Sequence, residues 1–181
     1  MTTVTFVGAG GGVGTTTLAA LTLHLLAENR VPLPAVNATD PGAFDQRSGL
    51  QLAPALAGSH ELIDGGRYDA QKAASAFARG YLVLVAAHTR QGMSALTDST
   101  ADIAARFGAD AHCRTVPVVT SVFGRRPATP HEMPVQMRLP FDPSLAAGGP
   151  LHLAVPHLRA GTKTALRQRW TPWVLETFAF R

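Results

Sequence analysis

The chain has 181 residues, of which 46% are hydrophobic and 15% charged, with a formal net charge of +4 and one cysteine, Cys113. That length and apolar content suit one domain with a core that needs no metal or disulfide staple, and they exclude disorder along most of the chain. The lone cysteine excludes an intramolecular disulfide, so Cys113 reads as a small core residue in a reducing compartment.

No basic segment precedes an apolar one at the N-terminus, and no uncharged apolar run approaches the ~18 residues of a membrane span, so the expected location is the cytoplasm. Lysine occurs only at Lys72 and Lys163, and arginine supplies the rest of the positive charge. The arginines are scattered apart from Arg125–Arg126 and the C-terminal region. The charge therefore permits nucleic acid or anionic lipid as a partner without selecting either.

In chain order, Val4 to Val7 is a short β-rich run that ends in glycines, and Leu18, Leu21 and Leu25 follow at helical spacing. Val31 to Val36 reads as a second buried strand with an irregular start at Pro32 and Pro34. Glu61 to Asp64 is expected to be a strand closed by Gly65 and Gly66. An alanine-rich helix then runs to about Arg79 and stops at Gly80. Tyr81 to Ala87 has no charge in seven residues, the pattern of a central parallel strand buried on both faces.

Leu96, Ile103 and Phe107 fall on one helical face with Gly108 as a stop signal, and Thr115 to Val122 is the next strand. A loop with three prolines covers Gly124 to Pro134, and Val135 to Leu139 reads as a last short strand. The alternation predicts one α/β domain over residues 1–181, with right-handed crossovers, a mainly parallel sheet between two helical layers, and a helical segment over 155–181.

Five of the seven residues from Gly8 to Gly14 are glycine, and Thr15, Thr16 and Thr17 stand where a helix should start. A loop without side chains lets backbone N–H groups converge on an anion, and the helix N-terminus adds partial positive charge at the same place. Phosphate is the expected occupant. Gly8, Gly10 and Val13 also approximate the dinucleotide pattern GxGxxG, but the threonine run favours a P-loop, in which the hydroxyl of Thr16 would meet Mg²⁺ and Thr17 a phosphate. A glycine turn that only packs helix on strand is the plain structural alternative.

The segment Gly10–Thr17, GGGVGTTT, resembles the KGGVGKTT loop of the deviant-Walker ATPases of the ParA/MinD superfamily, including the degenerate pilus-assembly members called CpaE or TadZ. Gly11, Gly12, Val13, Gly14, Thr16 and Thr17 are in register. TDP at Thr39–Pro41 is similar to the switch segment of that superfamily, and the resemblance implies that Asp40 orients the attacking water. ELIDGG at Glu61–Gly66 is similar to the Walker B region, which implies that Asp64 acts on Mg²⁺. LPFDP at Leu139–Pro143 resembles the segment beside the adenine pocket.

The resemblance thus implies a three-layer P-loop NTPase fold and a site for ATP or ADP with Mg²⁺. It also implies a protein partner in a positioning or assembly system, and homodimerisation. Gly10, Gly11, Gly12, Val13, Gly14, Thr15, Thr16 and Thr17 would form the nucleotide cradle, with Thr16 and Asp64 at the metal.

Two departures fall on charges the superfamily uses. Gly10 stands in place of the signature lysine that reaches across the dimer, and Thr15 in place of the lysine that bridges the β- and γ-phosphates. A hydrogen bond to a charged group contributes about 1.5–3 kcal/mol, so each loss implies roughly ten- to hundredfold weaker triphosphate binding. Hydrolysis suffers more than occupancy, because the transition state spreads charge over oxygens those lysines would meet. Ala38 stands where many relatives carry a first aspartate, and Thr120 and Ser121 where an adenine-contacting asparagine is common.

The leading expectation is a regulatory or positioning protein with weak nucleotide binding and little or no hydrolysis. The alternatives are an active ATPase that uses Asp40 with a substitute cation such as Arg90, and an adaptor with an empty pocket. Asp40 and Asp64 also read as turn residues, and Arg90 as a solvated surface arginine. The histidines show no ligand spacing.

At the C-terminus, Leu166, Trp170, Trp173, Val174 and Phe178 share an approximate helical face near Lys163, Arg167 and Arg169. Packing on the sheet is favoured over a peripheral membrane contact, partly because Pro172 is expected to break a continuous helix.

Overall fold

The computed structural model describes residues 2–50, 60–122 and 134–179. The apolar runs become six strands: β1 (Thr3–Gly8), β2 (Ala35–Ala38), β3 (Glu61–Arg67), β4 (Gly80–Ala87), β5 (Thr115–Thr120) and β6 (Met137–Leu139). They form one sheet in the order β2-β3-β1-β4-β5-β6, and every neighbouring pair is parallel. Parallel pairing requires crossover connections, supplied by α1 (Thr15–Glu28), α2 (Pro41–Ser48), α3 (Ala70–Phe77) and α4 (Arg90–Cys113). The chain then closes with α5 (Pro143–Ala146), α6 (Leu151–Ala154), a 3₁₀ turn (Val155–His157), α7 (Ala160–Ala165), a π-helical turn (Leu166–Trp170) and α8 (Thr171–Ala179).

Helices cover both faces of the sheet. On one face Phe6, Val83, Val85 and Val118 pack with Leu18, Leu21 and Phe44, joined by Trp170, Val174 and Phe178. On the other, Val7, Leu82, Leu84 and Ala86 meet Ala73, Phe77, Met93, Leu96 and Ile103. The central position of β4 explains its uncharged sequence, since alternate side chains enter opposite cores. Trp170 is fully buried, its ring edge-on to Phe6 at 6.3 Å between centroids and its indole N–H donating to Thr22 Oγ1 at 3.0 Å.

Several expectations are corrected. The second strand starts at Ala35, because Pro32 and Pro34 bring no N–H to a ladder, and it is a half-exposed edge paired only with β3. Gly65 and Gly66 do not close β3, which continues to Arg67. Phe6 pairs with Asp64 but Gly8 with Arg67, so β3 carries an extra residue in a bulge, with Gly66 at φ 67°.

The alanine-rich helix ends at Phe77, and Gly80 instead opens β4, where a Cβ would stand 2.1 Å from the Thr3 carbonyl oxygen. β5 ends at Thr120 and β6 begins at Met137, each shorter than its apolar run. Cys113 is exposed on the last turn of α4 rather than in the core.

Pro172 does not end the C-terminal helix. The preceding turn widens to π geometry, with the Thr171 amide on the Leu166 carbonyl, and this lets the proline ring continue without meeting an α-helical carbonyl. The loop expected over residues 124–134, except Pro134, lies outside the described residues with Arg125 and Arg126.

Candidate functional site

Because the sheet is all parallel, the loops after β1, β2, β3, β4 and β5 open on its carboxyl edge. The strand order reverses at β1, the place where open α/β sheets bind ligands. The glycine loop follows β1 directly. Gly14 is the N-cap of α1 with φ 83°, a left-handed conformation costly for other residues, and it has no side chain to cap the helix. The first intrahelical bond runs from the Leu18 amide to the Gly14 carbonyl at 2.9 Å, so the amides of Thr15, Thr16 and Thr17 have no intrahelical acceptor. Gly11 and Gly12 are exposed, and a Cβ built on either would meet nothing within 4 Å.

The loop is anchored from below. Thr120 Oγ1, at the end of β5, donates to the Val13 carbonyl at 2.6 Å, while Val13 itself is buried in the core. Thr15 is turned inward, its hydroxyl 2.9 Å from where a Cβ on Gly8 would stand. Thr15 thus packs under the loop.

Thr16 and Asp64 are brought together across 48 residues of sequence. The Thr16 hydroxyl donates to Asp64 Oδ2 at 2.6 Å, and Asp64 Oδ1 is buried without a hydrogen-bond partner among the described residues. A buried carboxylate oxygen without a donor is costly unless something else meets it. A carboxylate beside a hydroxyl is a donor set for a hard divalent cation.

Thr39 places the switch-like segment beside the same strand end, its amide and hydroxyl reaching the Asp64 carbonyl at 2.8 and 3.0 Å. Asp40 is exposed and caps α2, Oδ1 accepting the Ala43 amide at 3.0 Å, while Arg90 is exposed at the start of α4.

A cavity of about 250 Å³ adjoins the loop, walled by Gly14 and Thr17 on one side and Ser121, Pro140, Phe141 and Leu145 on others. Its floor includes Asp142, which ties two helices together by accepting the Ser144 amide at 3.0 Å and the Arg159 amide at 2.8 Å. Burial pushes the Asp142 carboxyl up. The Arg159 amide, the nearby Thr162 hydroxyl, the Ser144 amide and the Arg159 charge together outweigh that and hold it below the ordinary aspartate range.

Sequence reasoning missed Arg47 of α2. This buried guanidinium donates from Nε to Thr17 Oγ1 at 3.1 Å, and from its two terminal nitrogens to the carbonyls of Gly149 and Leu145. Only its position in a helix after the Asp-Pro segment signalled it, and that pattern does not separate a buried arginine from a surface one.

No protein-family model matches the chain, and no curated protein sequence matches it. Solved structures do. The chain is similar to a ParA family ATPase from Chlorobium tepidum TLS, at TM-score 0.63 and 14% identity over 96% of this chain and 97% of that one. It is similar to an Aquifex aeolicus MinC:MinD cell division protein complex, at TM-score 0.61 and 15% identity over 92% and 95%. It is also similar to the septum site-determining protein MinD complexed with Mg-ADP from Pyrococcus horikoshii OT3, at TM-score 0.59 and 15% identity over 97% and 95%. At these identities the likeness establishes the fold, which is the P-loop NTPase fold of the ParA and MinD ATPases. No helix among the described residues is long and apolar enough to cross a membrane.

Proposed function

We propose that the chain is a ParA/MinD-like regulatory or positioning protein that binds an adenine nucleotide weakly and hydrolyses it little or not at all. The carrying observation is the uncapped start of α1 beside the Thr16–Asp64 pair: orphan amides for an anion next to an unsatisfied carboxylate oxygen for a cation. The neighbour bound to Mg-ADP has this fold, which supports nucleotide as the anion. The MinC:MinD neighbour supports a protein partner.

In this reading the amides of Gly11 to Thr17 orient the phosphates, Gly14 keeps the approach free of side-chain bulk, and the adjoining cavity takes the base at its Pro140–Phe141 side, with Thr17 at its phosphate side. Thr16 and Asp64 would hold Mg²⁺, which when bound offsets phosphate charge. With Gly10 and Thr15 in the lysine positions, the cradle is a set of dipoles without a mobile cation, adequate for occupancy and poor for transition-state charge. Asp40 would orient a water, and its capping bond keeps one carboxylate oxygen committed to α2. The CpaE/TadZ-like degenerate members offer a functional analogy.

Calorimetric titration with Mg-ADP and Mg-ATP tests the reading. The expected result is measurable binding of both with phosphate release no faster than an Asp40→Ala control. A flat titration rejects nucleotide binding and leaves the adaptor. Release that exceeds the control and depends on Asp40 establishes the ATPase. Light scattering with and without nucleotide tests dimerisation.

A further inference from the structure

We propose that Arg47 is the cation of the phosphate cradle, acting through Thr17, whose hydroxyl it turns into a charge-assisted donor toward a phosphate oxygen in the adjoining cavity. The inference deepens the nucleotide reading and rests on it. Arg47 is only 6% exposed, and no carboxylate pairs with it among the described residues. Its partners are all neutral oxygens: the Thr17 hydroxyl and the carbonyls of Leu145 and Gly149. A guanidinium buried among neutral groups is costly. Desolvation pulls it below its ordinary value, yet arginine starts so high that it keeps its charge.

The direction of its field follows from donor and acceptor bookkeeping. A threonine hydroxyl has one proton to donate and two lone pairs to accept with, whereas guanidinium only donates. The bond between Arg47 Nε and Thr17 Oγ1 therefore consumes a lone pair and leaves the Thr17 proton free. The backbone carbonyl a helical threonine usually finds, four residues back, is that of Val13, which accepts from Thr120 and to which Thr17 Oγ1 makes no bond. Thr17 also lines the cavity next to Gly14. Its proton is then available to an anionic oxygen on that side, polarised by the charge behind it.

The other arms of the same guanidinium hold the Leu145 and Gly149 carbonyls, and Leu145 is a wall of the cavity. One side chain thus links the helix that begins at Asp40, the first turn of α1 and the pocket wall. In this arrangement a fixed, buried cation from α2 stands in for charge that a lysine on the loop would have delivered.

The test is a double-mutant cycle on ADP affinity in Mg²⁺, read by calorimetry, with inorganic pyrophosphate as a second probe lacking a base. Thr17→Val, which keeps the shape and removes the hydroxyl, is expected to weaken both ligands roughly ten- to hundredfold. Thr17→Ser should recover most of that. Arg47→Lys should weaken wild type comparably and add nothing further in the Thr17→Val background, an outcome a merely structural role of Arg47 does not produce. If the two losses multiply, or if Thr17→Val binds as tightly as wild type, the proposal is overturned.

If Arg47→Lys does not fold, the Thr17→Val and Thr17→Ser pair decides alone, both checked for an unchanged urea midpoint. Wild type that binds neither probe overturns the nucleotide reading together with this inference. Wild type that binds while the variants match it overturns this inference only.

Discussion

At its N-terminus α1 begins with a glycine cap, exposed glycines before it and three threonine amides without intrahelical acceptors, whereas from Leu18 onward the helix is buried on nearly every side. Thr22 shows the second regime: its hydroxyl donates to the Leu18 carbonyl at 2.9 Å and accepts from the Trp170 indole at 3.0 Å. No polar group on it is left over. The first turn leaves backbone donors open, and the body closes every donor it has. The contrast teaches that this helix separates a first turn whose donors stay open from a body that carries stability through side-chain packing four residues later.

Breaking the packed half should have the largest effect. Trp170→Ala removes an aromatic stacked on Trp173 at 4.7 Å and edge-on to Phe6, and it leaves the Thr22 hydroxyl without its donor. A loss of ~3–5 kcal/mol in urea unfolding is expected, with nucleotide affinity of the folded fraction unchanged. A matching drop in affinity would mean the two halves of α1 are coupled.

Gly14→Val attacks the other half. The left-handed conformation at φ 83° adds about 1–3 kcal/mol of strain, and the side chain stands toward Thr120, in the lining of the cavity. Calorimetry should show ADP binding abolished. Unfolding should show a smaller stability loss than that of Trp170→Ala.

Thr15→Lys sharpens the comparison by adding the absent charge. Roughly ten- to hundredfold tighter Mg-ATP binding is expected, provided the new stem leaves the inward site beneath Gly8. An unchanged affinity would mean that the new ammonium stays beneath Gly8 and does not reach the phosphates.

The smallest effect concerns Asp142, which lines the cavity and accepts the Ser144 and Arg159 amides. Its folded-state value lies below the unfolded one, so the stability it contributes is present above the unfolded aspartate value of about 3.9 and lost as pH falls through the folded value. Urea midpoints should decline below about pH 4, and Asp142→Asn, which keeps a capping oxygen for Ser144, should flatten that decline.

Much of this was legible because it is local. The uncharged run at Tyr81–Ala87 reads as a strand buried on both faces for the reason the sheet confirms, a partner on each side and a helical layer above and below. Strand ends were less legible. Whether Gly65–Gly66 stops β3 or bulges within it depends on the register with β1, and whether Pro172 ends a helix depends on the turn before it. Neither signal lies in the residues themselves. Cys113 shows the same limit, since a helix sequence does not say which side of its last turn faces solvent.

By itself the sequence determined the glycine loop between a strand and a helix, the alternation that makes the sheet parallel, and the absence of lysine from the loop. Those are properties of neighbouring residues, governed by side-chain size, backbone freedom and short periodicities. Only the tertiary structure decided that Arg47 meets Thr17 across 30 residues and Thr120 the Val13 carbonyl across 107, whereas Thr16 and Asp64, 48 residues apart, are a pair the family resemblance had already set at one metal. Such pairings depend on strand order and crossover geometry, and a hydrogen bond that exists only once two strands and two helices have docked leaves no pattern in the chain that encodes it.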